Sequence, residues 1–219
     1  NWTPPVENHP YGFLAVDIPT NKIIEVLSLD FVLRMDTGEN KYYPQNNLAD
    51  DATNASSVWN SGSGWTGYGI KIGILDSDLD VAYLGTEFPS SIDQYDCWGE
   101  DSNIENLTSY GGHGTHVAGT VLGRGYYSNS HSGNNGSGSF KGMAYDSDLC
   151  FLKIGTEPYA NADDRDIQQG LDLAVSTYNC DVVNLSYSTW NAYHDGSTTT
   201  EQKVDWVYSQ GVPITVSAG

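Results

Sequence analysis

Four short apolar runs, alternating with stretches of helical periodicity, constrain the fold of this chain more than any other feature of its sequence. They are residues 70–75, 149–154, 182–187 and 212–216. Strands that alternate with helices are joined by right-handed crossovers and form a mostly parallel sheet. The pattern therefore predicts an α/β fold with helices on both faces of the sheet. Such sheets bind ligands beyond the carboxyl ends of their strands.

Three helical patterns fill the connections between these runs. The first opens at His113, the second follows Asp163 and Asp164, and the third begins near Thr200. Their apolar positions are Val117, Ala118, Val121, Leu122, Ile167, Leu171, Ala174, Val175, Tyr178, Val204, Val207 and Tyr208. Each pattern predicts an amphipathic helix with one apolar face.

A small α+β segment is predicted ahead of this sheet. Residues 13–18 and 31–35 have strand-like patterns, and between them Thr20 can cap a short helix. Residues 37–66 are rich in Asn, Asp, Ser and Gly, which is typical of a polar connector.

The composition limits the possible partners. The 219 residues include 9 Lys and Arg against 28 Asp and Glu, for a formal net charge of −19. Because phosphates are bound by basic surfaces, we expect no nucleic-acid partner and no anionic membrane surface. No apolar run approaches the roughly 20 residues that a membrane span needs.

The sequence favours a secreted protein. Asn-x-Ser/Thr sequons, which are compatible with secretion, occur at Asn1, Asn54, Asn106 and Asn135; Asn184 also fits the pattern but lies in a predicted buried strand. The first residues do not show the basic segment followed by an apolar segment that is typical of a signal peptide. We therefore expect either that a signal peptide was removed or that the chain starts inside a longer precursor. Of the three cysteines, Cys97, Cys150 and Cys180, at least one is unpaired within the chain. Cys150 and Cys180 adjoin apolar runs, where we expect small buried hydrophobes.

Asp76 and His113 are the candidate catalytic pair. A carboxylate that ends a buried strand, as Asp76 does, needs a hydrogen-bond donor or a cation. His113 opens a helix behind Gly111 and Gly112, and glycines allow a sharp turn from which a side chain can face a cleft. An aspartate bound to an imidazole forms two of the three parts of a charge-relay system that activates a serine. Taken alone, an aspartate at the end of a strand is more often a helix cap or a turn residue, but the presence of His113 favours the catalytic interpretation.

His116 is the competing histidine of the same helix. A zinc site of the metalloprotease type needs two histidines four residues apart with a glutamate between them, and His113 and His116 do not meet this pattern. We therefore expect no metal at this site and a structural role for His116 inside the fold.

From about Tyr43 to Gly219 the sequence resembles the subtilisin-like serine protease (subtilase) family. The resemblance rests on residues 74–77, 113–120, 142–144 and 181–186. It implies a subtilisin-like fold, and it implies an enzyme that hydrolyses peptide bonds in protein or peptide substrates without a cofactor. It also implies that Asp76 is the charge-relay aspartate and His113 the general base. Ser186, Tyr187 and Ser188 would line the non-primed cleft, where a substrate pairs as an added strand.

The family's serine nucleophile and oxyanion-hole asparagine have no counterpart in these residues. Residues 211–219 resemble the strand that leads to that asparagine. We therefore expect residues 43–219 to be the N-terminal part of a catalytic domain that is truncated at its C-terminal side. Its partner would be the missing C-terminal part, and without the serine this chain alone should be inactive. Residues 1–42 resemble the tail of the family's pro-domain; a small N-terminal extension is the alternative.

Two positions depart from the family's pattern. Asp78 stands where the family usually has Gly, and Asp80 follows it. A second carboxylate near Asp76 would raise the pKa of Asp76 unless a cation intervenes. Calcium could be that cation and could add stability, but no complete calcium-loop spacing is present, so we expect surface-exposed acids. Ser188 stands where the family commonly has Gly, and its Cβ could narrow the primary specificity pocket.

Two other functions remain as alternatives. A non-catalytic subtilase-fold protein with a binding or regulatory role would keep Asp76 and His113 and lack the serine. A nucleotide-binding α/β module is disfavoured, because no Gly-x-Gly-x-x-Gly follows residues 70–75.

Overall fold

The computed structural model describes residues 18–32, 35, 53–105, 112–128, 140–156, 162–188 and 195–217. The chain divides into two compact units, residues 1–44 and residues 45–219. The candidate site lies in the second unit.

A five-stranded parallel sheet forms the centre of the larger unit. Its strands are β1 (Lys71–Asp76), β2 (Asp93–Asp96), β3 (Asp148–Lys153), β4 (Val182–Leu185) and β5 (Ile214–Val216). The strand order is β2-β3-β1-β4-β5, and every neighbouring pair is parallel. The four apolar runs become β1, β3, β4 and β5, which confirms the predicted parallel α/β fold. Strand β2 was not predicted, because its sequence Asp-Gln-Tyr-Asp lacks an apolar run.

The described helices are α1 (Ile23–Leu27), α2 (Ala55–Trp59), α3 (His113–Leu122), α4 (Asp164–Asp172) and α5 (Thr199–Ser209). Helix α4 continues into a π-helical turn, Leu173–Thr177. The three predicted helices are confirmed as α3, α4 and α5. Thr198 caps the N-terminus of helix α5: its hydroxyl accepts from the Glu201 N–H, while the Glu201 carboxylate accepts from the Thr198 N–H. Among the described helices, none is long and apolar enough to cross a membrane.

Successive residues of the strands pack into two separate cores, one on each face of the sheet. On one face, β1 contributes Ile72 and Ile74, which pack with Ala118 and Leu122 of α3. On the other face, Leu75 of β1 packs in a core to which α4, the π-helical turn and α5 contribute Leu171, Ala174 and Val207. Helix α3 is therefore attached to one face of β1, and this attachment brings its first residue to the carboxyl end of that strand.

All three cysteines are buried thiols without a disulfide. Cys150 of β3 is the register partner of Gly73, and the sulfur of Cys180 lies 3.1 Å from where a Cβ of Gly73 would stand. The expectation that Cys150 and Cys180 are small buried hydrophobes is confirmed. Burial also raises the pKa of Cys97 to about 12, so this thiol stays protonated and unreactive at neutral pH.

The smaller unit, residues 1–44, differs in two details from the predicted strand–helix–strand segment. The short helix is present as a 3-10 turn, Thr20–Lys22, that leads into α1, but Thr20 lies within the turn instead of capping it. Phe31 lies in a turn that the Val32 N–H closes by donating to the Leu29 carbonyl at 2.9 Å, so the strand predicted over 31–35 is wrong at its described positions. Residues 13–17 of the other predicted strand lie outside the described residues.

Candidate active site

Asp76 is the last residue of the central strand β1, and its side chain is fully buried. Burial raises its pKa, because an ionised carboxyl group loses its hydration there. Hydrogen bonds from His113 and from the Ser77 N–H, the latter at 2.8 Å, act in the opposite direction. Its second oxygen, Oδ2, is buried without a hydrogen-bond partner among the described residues. The carboxylate therefore depends strongly on the imidazole beside it.

His113 is the first residue of α3, and it reaches Asp76 across the carboxyl end of the sheet. Its Nδ1 lies 2.6 Å from Asp76 Oδ1. The imidazole is 49 % exposed although its partner is buried. A carboxylate that accepts the Nδ1–H fixes the tautomer in which Nε2 carries the lone pair, so Nε2 can accept a proton. The expectation that these two side chains meet is confirmed.

Two glycines allow the helix to start this close to β1. Gly112 precedes His113 with a φ of 141°, which L side chains rarely adopt. Gly114 follows it, and a Cβ at this position would lie 2.3 Å from the Asp78 carbonyl oxygen. The Asp80 N–H donates to the Thr115 hydroxyl at 2.8 Å, which ties the residues after β1 to the first turn of α3.

Asp78 contradicts the expectation of a surface-exposed acid, whereas Asp80 is exposed as expected. Asp78 is 1 % exposed, and the cation that faces it is an amino group, Lys153 Nζ, at 3.7 Å from Oδ1. The same amino group lies 3.0 Å from Asp96 Oδ2. The sequence interpretation missed this role, because a lysine that ends an apolar run usually extends its amino group into water.

His116 also differs from its expectation. It is exposed on α3 and not enclosed in the fold, because the buried positions of this helix are Gly114, Ala118 and Leu122. Among the described residues there is no group of three His, Cys, Asp or Glu side chains that could hold a metal ion.

Of the three residues expected to line the cleft, Tyr187 contacts His113 and Ser186 contacts strand β4, which lies beside β1. Tyr187 follows β4, and its ring meets the His113 ring edge to face at a centroid distance of 6.3 Å. The Ser186 hydroxyl accepts a hydrogen bond of 2.8 Å from the Asn184 amide. Ser188 is exposed. The residues after β4 therefore lie at the same end of the sheet as the Asp76–His113 pair.

A family model described as "Subtilase family" matches residues 67–219, which is more than half of the chain. The chain belongs to the subtilase family. Among curated relatives, minor extracellular protease Vpr of Bacillus subtilis is 27 % identical over 190 residues, which cover 83 % of this chain and 21 % of Vpr. Subtilisin DY of Bacillus licheniformis is 28 % identical over 166 residues, 71 % of this chain and 49 % of that protein.

Solved protease structures share the fold of this chain. The CspB protease of Clostridium perfringens superposes with a TM-score of 0.58 at 29 % identity, over 77 % of this chain and 40 % of CspB. A cold-adapted subtilisin-like serine proteinase matches with a TM-score of 0.51 at 22 % identity, over 71 % of this chain and 48 % of that chain, and shows the shared fold. The chain thus spans about half, or less, of the length of these relatives.

Proposed function

We propose that the protein containing this chain is a secreted serine endopeptidase in which Asp76 and His113 form the charge-relay pair. The hydrogen bond of 2.6 Å between His113 Nδ1 and Asp76 Oδ1 carries this proposal. Membership of the subtilase family supports serine protease chemistry. The extracellular proteases among its relatives support secretion.

In the proposed mechanism, His113 Nε2 takes the proton of a serine hydroxyl as that oxygen attacks the scissile carbonyl. The Asp76 carboxylate stabilises the imidazolium that forms, and its burial strengthens that interaction. His113 then returns the proton to the leaving amine. A water molecule, deprotonated by His113 in the same way, then attacks the acyl-serine, which releases the carboxylic acid and regenerates the serine. None of these steps needs a cofactor.

The substrate is proposed to be a protein or peptide that lies along residues 186–188 as an added strand. The position of these residues after β4, with the Tyr187 ring 6.3 Å from that of His113, supports this cleft. Ser188 would narrow the primary specificity pocket.

The serine and the oxyanion donor are proposed to lie in a part of the catalytic domain outside these 219 residues. The chain's match to only 49 % of Subtilisin DY is consistent with this arrangement. The segment 1–42 is proposed to be the tail of a pro-domain.

A peptidase assay tests the function. The full-length protein should hydrolyse denatured casein, whereas the 219-residue chain alone should not. A full-length protein that folds but has no peptidase activity on casein or peptide esters would favour the alternative of a non-catalytic binding or regulatory subtilase.

A further inference from the structure

A buried lysine lies directly beside the Asp76–His113 pair. Lys153 ends β3 and is the register partner of Asp76 on β1 and of Asp96 on β2. Register partners point their side chains to the same face of a sheet, here the face that carries α3. The ammonium lies 3.0 Å from Asp96 and 3.7 Å from Asp78, and all three side chains are at most 7 % exposed.

The position of Asp78 links this cation to the histidine helix. The backbone of Asp78 faces Gly114, as shown by the 2.3 Å that would separate a Cβ of Gly114 from the Asp78 carbonyl oxygen. Two residues on, Asp80 donates its N–H to Thr115. A cation that fixes Asp78 therefore also fixes the surface on which the first turn of α3 rests.

The charge balance leads to the same residue. Asp78 and Asp96 are buried carboxylates, and burying a carboxylate is costly unless a cation compensates it. Lys153, Asp78 and Asp96 together carry one net negative charge, and without Lys153 the two carboxylates would carry two. These charges lie beside the Asp76 carboxylate, which has already lost its hydration.

Resting on the function proposed above, we propose that Lys153 is a positioning residue for the Asp76–His113 pair. It holds Asp78 beneath the start of α3 and sets the net charge that the imidazole experiences. The residue acts through Asp78 and does not touch the reacting atoms.

Among the described residues, some other charged groups have partners of their own. The buried Asp166 of α4 pairs with Arg165 at 3.0 Å, and Arg165 also reaches Glu100 at 3.2 Å. Burial, together with Asp166 and Asp96, raises the pKa of the neighbouring Cys97 to about 12, so that thiol adds no charge at neutral pH. On α3, the side chain of His116 is exposed to solvent.

The test measures the midpoint of the His113 ring titration by NMR in the full-length protein with ¹³C-labelled histidine. His113→Gln assigns the signal. Lys153→Met, which adds net negative charge, should move the midpoint up by roughly 0.5 to 1 pH unit. Asp78→Asn should move it down by a similar amount. The double variant Asp78→Asn/Lys153→Met restores one net negative charge and should return the midpoint to that of the wild type.

Two further variants separate charge from general disruption. Lys153→Arg keeps the charge and should keep the midpoint. Lys71→Met removes an equal charge at the other end of β1, five residue steps or roughly 16 Å from Asp76, and should leave the midpoint unchanged. If Lys153→Met does not fold, Asp78→Asn and the double variant still decide the outcome.

An unmoved midpoint in Asp78→Asn, or a double variant that does not return to the wild-type value, would overturn the role of Lys153. The readout does not depend on peptidase activity. Midpoints in the expected order without peptidase activity would leave this inference standing and refute the proposed function. Full peptidase activity together with midpoints that do not change in these variants would support the proposed function and refute the role of Lys153.

Discussion

The two ends of the β1–β3 strand pair carry the same kind of ion pair in different surroundings. At the amino end, Lys71 Nζ lies 2.6 Å from Asp93 Oδ2, with the two side chains 31 % and 40 % exposed. At the carboxyl end, Lys153 meets two carboxylates that are almost fully buried. Water screens the first pair and not the second. The comparison indicates that a change of charge has a larger electrostatic effect at the buried carboxyl end, where Asp76 and His113 meet, than at the more exposed amino end.

The largest expected effect of a single change is on catalysis at the carboxyl end. Asp76→Asn in the full-length protein should lower kcat by about 10⁴-fold, the magnitude seen in other charge-relay proteases, because the amide cannot hold the imidazole in the active tautomer. Lys71→Met should leave kcat unchanged. Steady-state assays on a peptide ester measure both. A fall of less than tenfold in Asp76→Asn would contradict the catalytic assignment.

The next effect compares the two lysines by stability. Lys153→Met should lower the free energy of unfolding by about 3–5 kcal/mol, because it leaves two buried carboxylates without their cation. Lys71→Met should cost at most about 1 kcal/mol, since its pair is partly exposed. Urea unfolding followed by circular dichroism compares them. Equal losses in the two variants would show that burial does not distinguish the two ends.

A smaller effect is expected from two glycines of α3, which form a matched pair. Gly114→Ala should destabilise the protein by about 1–3 kcal/mol, because its Cβ would overlap the Asp78 backbone. Gly119→Ala should stabilise it by up to about 1 kcal/mol, because nothing lies within 4 Å of that Cβ and alanine favours a helix. Thermal unfolding of both variants measures the difference. If Gly114→Ala is neutral, α3 does not rest on Asp78.

The smallest effect concerns how stability varies with pH. The folded protein raises the pKa of Asp76 above the usual 3.8, so the folded state binds this proton more tightly than the unfolded state. The stability that this proton provides is fully present below pH 3.8 and is lost as the pH rises through the folded pKa. The Asp76→Asn side chain does not ionise, so this variant does not lose that stability. Its stability relative to the wild type should therefore increase as the pH rises from 3.8 through the folded pKa of Asp76. Melting temperatures at several pH values measure the gap, and a gap that narrows with rising pH would contradict the direction of the shift.

The sequence predicted the sheet and the meeting of its two candidate side chains, because these depend on local patterns. The apolar runs fix β1, β3, β4 and β5, and parallel topology brings the end of β1 and the start of α3 together. Strand β2 escaped prediction because its side chains are mostly polar, so only its pairing with β3 defines it.

The errors concern residues whose surroundings come from distant parts of the chain. Asp78 was expected at the surface, but it is buried and lies 3.7 Å from Lys153 of another strand. His116 was expected inside the fold, but the rotation of α3 turns Ala118 and Leu122 inward and leaves His116 outside. A pattern of residue types does not contain these tertiary contacts.

The most direct test of the central claim is the labelling of the full-length protein with a fluorophosphonate, a reagent that reacts with a serine activated by an imidazole. Mass spectrometry should find the label on one serine of the wild-type protein. His113→Ala, shown by circular dichroism to be folded, should take up almost none. Equal labelling of the same serine in the folded His113→Ala variant would contradict the account, because His113 would then not be the base that activates it.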